Sequence, residues 1–138
     1  MQFSIFIQFS MSQFSKTPNK YDLEERTARF GEAVILLCRK IASDNITKPI
    51  INQLVRSGTS MGANYMEANG ASSKKDFINK IFICKKEAQE TKHWLRMLSP
   101  CVSDIIQDEL RTLWKECQEL TLIFQKISSS SRTKDSSI

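Results

Sequence analysis

Glu90 and His93 stand three residues apart in KEAQETKHW, the i, i+3 spacing by which helix bundles present a carboxylate and an imidazole to a di-iron centre. Such a centre needs two motifs of this kind, and the chain holds one histidine in all. On a helix of about 100° per residue, both residues also point away from the apolar stripe Phe77, Ile81, Ala88 and Leu95. Four cysteines, Cys38, Cys84, Cys101 and Cys117, lie far apart, without CxxC spacing or histidines to complete a zinc site. They read as free thiols buried in a reducing cytoplasm. No Ser-His-Asp or Cys-His arrangement, P-loop or GxGxxG accompanies them. The expectation is a protein that is not an enzyme, with no catalytic residues, no metal and no cofactor.

Charge is the chemistry that remains. Lys74, Lys75, Lys80, Lys85, Lys86, Lys92 and Arg96 outnumber Asp76, Glu87 and Glu90 along one stretch. The next stretch is acidic, with Asp104, Asp108, Glu109, Glu116 and Glu119 against Arg111, Lys115 and Lys126. On a helix, Lys85, Lys92 and Arg96 share one flank, and Lys75 and Lys86 another. Repeated around an oligomer, that band would suit phosphates, which makes Lys74, Lys75, Lys85, Lys86, Lys92 and Arg96 candidate nucleic-acid contacts. The alternative is that the band faces the acidic stretch of the same or a neighbouring protomer in routine ion pairs. A net charge of +5 and a pI near 9.1 fit an anionic partner, and fit a merely soluble protein equally well.

The elements that must position these residues follow from apolar spacing. Steps of three and four give four stripes. Leu23, Thr27, Phe30, Val34, Leu37 and Ile41 form the first, opened by Asp22 with Glu25 three residues on in a capping-box variant. Ile51, Leu54, Gly58, Met61, Tyr65 and Ala68 form the second, which starts after Thr47 with Pro49 in its first turn. The third runs Phe77, Ile81, Cys84, Ala88, Thr91, Leu95, Leu98, opened by Ser72 or Ser73 and ended by Ser99-Pro100. The fourth, entered through Ser103-Asp104, runs Ile106, Leu110, Leu113, Cys117, Leu120, Phe124, Ile127. Few Gly and Pro, short connections and no long strand alternation predict an all-α fold: an antiparallel, up-down-up-down, left-handed four-helix bundle over residues 21–128.

Residues 1–20 are expected to be a flexible N-terminal extension, and the serine-rich 129–138 a disordered tail. The N-terminal stretch lacks a basic n-region and is too short and polar for a membrane span, so no membrane partner is expected. Met11 offers an alternative start.

Two features point to assembly. Ala33-Val34-Ile35-Leu36-Leu37-Cys38 is apolar on every face, and Ile35 and Leu36 turn away from the core stripe. Ile78, Phe82 and Trp94 do the same on the third helix, so a second protomer is the expected cover, singly exposed aliphatics being the alternative. The second feature is RSGTSMGANYMEANG, Arg56 to Gly70, where glycines occupy good helix positions. Gly58 and Gly62, a turn apart on the core side, each cost about 1 kcal/mol of propensity and permit close helix approach, while Gly70 reads as a C-cap. Arg56, Ser60, Ala63 and Glu67, with Asn64 beside them, form a polar stripe. Arg56 and Glu67 are about 16 Å apart along the axis and cannot pair with each other. That stripe is either solvated or set against a neighbouring helix or subunit that offers Arg56 a carboxylate. Ile35, Leu36, Arg56, Ser60, Asn64, Glu67 and Trp94 are the interface candidates.

RSGTSMGANYMEANGASSKKDFINK, with CKKEAQETKHWLRML after it and YDLEERTARFGEAVILLCRKI before it, resembles the bacterial four-helix-bundle family encoded in 23S ribosomal RNA intervening sequences. The resemblance spans roughly Tyr21 to Ile127 and rests on Arg56, Ser57, Ser60, Ala63, Asn64, Glu67, Lys75, Asp76, Phe77, Lys86, Glu87, Ala88, Glu90, Thr91, Trp94 and Leu95. His93 departs from it, where a tyrosine is frequent, and the N-terminal decapeptide has no counterpart. The resemblance implies a ring-like homopentamer without established enzymatic activity. A related branch, the accessory variability protein of diversity-generating retroelements, is associated with nucleic acid and a reverse transcriptase, which makes RNA, DNA or such an enzyme the partners it implies. A protein scaffold with no direct nucleic-acid contact is the other reading.

Overall fold

The computed structural model describes residues 20–136, and side chains over 23–131. Four helices follow one another: α1 (Lys20–Arg39), α2 (Thr47–Asn69), α3 (Lys74–Leu98) and α4 (Asp104–Ser136), with a 3-10 turn at Ser99–Cys101 between the last two. No strand occurs among the described residues. The expected N-terminal extension lies outside the described residues except for Lys20, which opens α1. Helix α1 is thus already under way two residues before Asp22.

Local chemistry sets most boundaries. Ser73 caps α3, its Oγ accepting from the Asp76 amide at 3.0 Å. Asp44 was not anticipated, yet it organises the entry to α2. Its Oδ1 accepts from the amides of Ile46 and Thr47 at 2.8 Å each, which holds the carboxylate below its usual range. Gly70 follows α2 as expected, but at φ −96°, so its position needs no left-handed backbone. The disordered tail expected from residue 129 is instead helical through Ser136. Its serines bond within the helix: Ser128 Oγ donates to the Gln125 carbonyl at 3.1 Å, and Gln125 Nε2 donates to Ser129 Oγ at 2.9 Å.

The four stripes meet in one core of Leu23, Phe30, Val34, Leu37, Leu54, Met61, Ile81, Cys84, Leu95, Leu98, Leu120 and Phe124. Side-chain contacts tie each helix to its neighbours. Asn69 meets Glu24 and Gly62 meets Thr27 between α2 and α1; Ser57 meets Thr91 and Met61 meets Cys84 between α2 and α3. Cys117 meets Ala88 and Gln107 meets Ser99 between α4 and α3, while Glu116 meets Arg26 and Glu109 meets Lys40 between α4 and α1.

The glycines of α2 face α1. A methyl group at Gly58 would lie 3.1 Å from Val34 Cγ2, and one at Gly62 would lie 3.3 Å from Thr27 Oγ1. Small residues let the two helices approach where a Cβ would crowd them. Thr27 tolerates burial because its hydroxyl donates back to the Leu23 carbonyl at 2.9 Å. Of the apolar residues off the stripes, Ile78 is buried by the chain itself, and Trp94 packs on the core while staying half-buried. Ile35 is 39% exposed and Leu36 is half-buried.

Candidate functional site

The charges of α3 separate onto two flanks with different partners. On the flank facing α2, Arg56 Nη2 lies 2.5 Å from Glu90 Oε1, and Arg56 Nη1 lies 3.3 Å from Glu87 Oε2. The Arg56 guanidinium holds the Glu90 carboxyl below the usual range, and Glu90 in turn raises Arg56. Trp94 Nε1 also reaches Glu90 Oε1, at 3.4 Å. One turn of backbone ties the rest of the stripe together: Ser60 Oγ donates to the Arg56 carbonyl at 2.6 Å and Asn64 Nδ2 to the Ser60 carbonyl at 2.9 Å. Glu67 pairs with Lys80 at 2.7 Å. The carboxylate that Arg56 needed is thus supplied within the chain, by α3. Glu90, engaged with Arg56, is no longer a free ligand beside His93, and no cluster of three metal-binding side chains occurs among the described residues.

On the flank facing α4, the cations meet amides. Lys85 Nζ donates to Gln125 Oε1 and Lys92 Nζ to Gln118 Oε1. Lys92 Nζ also lies 5.5 Å from the ring centroid of Trp114. Beyond them, Arg96, Arg111 and Trp114 line a cavity of about 210 Å³ together with Leu95 and Leu110. Ser99 and Gln107 close its end and satisfy each other, Ser99 Oγ donating to Gln107 Oε1 at 2.8 Å. Lys75, Lys86 and Arg96 are exposed. Lys74, also exposed, stands at the first turn of α3, away from the Trp114 cavity.

The acids of α4 look elsewhere. Glu116 is buried against α1, where Arg26 Nη2 lies 2.6 Å from its Oε1 and Arg26 Nε donates to Oε2 at 2.8 Å. Arg26 also meets Glu119 at 2.9 Å, and Lys40 meets Glu109 at 2.8 Å. Burial pushes the Glu116 carboxyl up while Arg26 opposes it. The acidic face of α4 and the basic flank of α3 are therefore turned apart, and α4 shows α3 mainly glutamines. Sequence reasoning missed Arg26, Arg111 and Trp114. The available signal for Trp114 was its place one residue off the α4 stripe, three residues after Arg111.

A second cavity, of about 770 Å³, opens at the opposite end of the bundle between Leu23, Tyr65, Phe77, Ile123 and Ile127. It is mainly apolar, with Lys126 at its wall. No helix among the described residues is long and apolar enough to cross a membrane.

An all-helical protein with four packed helices, an ion-paired α2–α3 interface and an amide-lined basic α3–α4 interface is the class these observations define. The chain belongs to the 23S rRNA-intervening sequence protein family, whose model matches residues 19–126. It is similar to a solved structure from Bacteroides thetaiotaomicron, a protein with unknown function from the S23 ribosomal protein family. The two share 28% identity and a TM-score of 0.64, over 76% of this chain and 96% of that one. No curated protein matches.

Proposed function

We propose that this protein is a non-enzymatic, cytoplasmic, homo-oligomeric bundle that binds nucleic acid through the basic flank of α3. In this reading the helices run up-down-up-down with left-handed packing, and five protomers form a ring. The observation that carries the reading is the partnering of Lys85 and Lys92 with glutamines, with Arg96 and Arg111 beside them, while Glu109, Glu116 and Glu119 of α4 are engaged by Lys40 and Arg26 on the far side. Cations held by neutral amides keep their full charge for an external anion, whereas carboxylate partners would cancel it.

Binding of single-stranded RNA and of duplex DNA, measured across a salt series, tests the proposal. Affinity should fall steeply with salt, and Arg96→Glu with Arg111→Glu should flatten the slope by about 1 per lost phosphate contact. These two positions are exposed, so the variant should keep its fold and its mass by light scattering. Lys85 and Lys92 are poorer choices, because charge reversal there would also break the contacts to Gln125 and Gln118. Absent or salt-independent binding would overturn the reading.

A second reading, a protein scaffold or accessory factor for an enzyme such as a reverse transcriptase, is favoured by the exposed apolar side chains. Ile105 is 79% exposed, Leu122 58% and Ile35 39%. A specific partner that survives nuclease treatment would support it. If Ile35 is an oligomer contact, Ile35→Asp should dissociate the assembly, and a wild-type monomer would rule that contact out.

A further inference from the structure

The wall between α3 and α4 holds more than charge. Trp114 is among the largest side chains of α4, yet it lies outside the buried core and stays 41% exposed. The Lys92 ammonium lies over its ring, 5.5 Å from the centroid, and two arginines, Arg96 and Arg111, line the same cavity as Trp114. The other polar groups there are already satisfied: Ser99 and Gln107 bond each other, and Gln118 accepts from Lys92. Arg111 has one weak neighbour, Asp108 at 3.6 Å, both side chains largely exposed, and Arg96 has no carboxylate partner among the described residues. What the site leaves open is thus the exposed part of an indole beside two guanidinium groups, one unpaired and one only weakly paired. Simple anion binding uses the guanidinium groups and gives no role to the exposed surface of the indole.

We propose that this cavity is a stacking site for one unpaired base of a single-stranded nucleic acid, with the base on Trp114 and the flanking phosphates on Arg96 and Arg111. The inference rests on the nucleic-acid reading above and adds the form of the ligand. An indole offers any base a π-face, so the site reads strandedness and not sequence. Arg96 on α3 and Arg111 on α4 supply two guanidinium groups for the phosphates that precede and follow a stacked base, and buried Leu95 and Leu110 add an apolar lining. In a duplex each base is already stacked on its neighbours and enters such a site only after unpairing, at a cost. The cavity therefore favours single strands over duplex at equal charge.

Affinity for a short oligouridine and for a duplex of the same length, measured at fixed salt for the full chain and for Trp114→Ala, Trp114→Phe and Arg96→Gln, tests the inference. Trp114→Ala should weaken the single strand roughly 5- to 150-fold, the span of one stacked base, with duplex affinity and salt slope essentially unchanged. Trp114→Phe should recover most of the loss and so separate stacking from folding. Oligouridine should also quench part of the wild-type tryptophan fluorescence, a part that is missing in Trp114→Phe, where only Trp94 emits. Arg96→Gln should weaken both ligands and lower the salt slope. Equal losses for single strand and duplex in Trp114→Ala, or no loss, would overturn the stacking site while leaving nucleic-acid binding in place. Salt-dependent binding to neither ligand would remove the underlying reading and this one with it. Competition by polyglutamate as effective as that by oligouridine would overturn it in favour of a plain anion site.

Discussion

Gly58 offers a quantitative test of why the most distinctive stretch of this chain spends helix positions on glycine. Ala at this position places a methyl 3.1 Å from Val34 Cγ2 and 3.2 Å from Val34 Cγ1, against about 3.5–4.0 Å for unstrained carbon contacts. Val34 cannot easily yield. It is fully buried, and a β-branched side chain in a helix has essentially one χ1 well. Overpacking of this kind costs about 1–3 kcal/mol, and Ala returns about 1 kcal/mol of helix propensity, so Gly58→Ala should destabilise by about 1 kcal/mol net. In a Val34→Ala background the opposing methyls are gone, and the same substitution should become stabilising, by up to about 1 kcal/mol. The coupling between the two sites should thus be about 1–3 kcal/mol. Gly31 supplies the control. A methyl there would meet its nearest atoms, the Gly58 carbonyl oxygen and Thr59 Cα, at 3.5 Å, an ordinary contact. Gly31→Ala should therefore stabilise through propensity alone. Urea unfolding of the wild type and these variants at one protein concentration is sufficient, since about 1 kcal/mol moves the midpoint by roughly 0.3–1 M. Equal destabilisation by Gly58→Ala in both backgrounds, or a Gly31→Ala effect as large as that of Gly58→Ala, would refute the steric argument.

Three further outcomes are expected. Glu116→Ala should cost about 3–5 kcal/mol in the same unfolding assay because it leaves the Arg26 guanidinium buried without its main partner, whereas Arg26→Met with Glu116→Leu should come out near neutral. The lowered Glu90 titration makes a contribution that is fully present above the ordinary glutamate range and is lost as pH falls through the lowered value. Exposure of the pair keeps that contribution under about 1 kcal/mol, and Arg56→Gln should return Glu90 to the ordinary range in an NMR titration. Thiol labelling of the native protein at mildly alkaline pH should show one fast site, exposed Cys101, and Cys101→Ser should abolish it. Burial pushes Cys38 up to about 11 and Cys84 up to about 12, and raises Cys117 as well, so these should react fully only on unfolding.

What could be read from the chain alone was whatever depends on neighbours a few residues away. Apolar spacing located all four helices, since a side chain three or four positions on shares the same face whatever the helix later packs against. A serine cap at Ser72 or Ser73, which the structure assigns to Ser73, and the stop at Ser99-Pro100 were legible for the same reason. The close packing anticipated at Gly58 and Gly62 was also found, against Val34 and Thr27. One local signal was ambiguous: the serines after Ile127 suggested disorder, whereas Ser128 and Ser129 bond with Gln125 and α4 runs on to Ser136.

The sequence by itself determined the helices, their buried faces and the division of charge between α3 and α4. Tertiary structure alone decided which charges meet. Arg56 pairs with Glu87 and Glu90 more than thirty positions on, and Arg26 with Glu116 across ninety. Those contacts depend on which helix lies beside which and at what axial offset, and a 3.6-residue period carries no information on either. The same holds for the α3–α4 wall. Helical spacing placed Lys85, Lys92 and Arg96 on one flank, but only the packing of α4 showed that glutamines and Trp114, not the acids of that helix, stand opposite them.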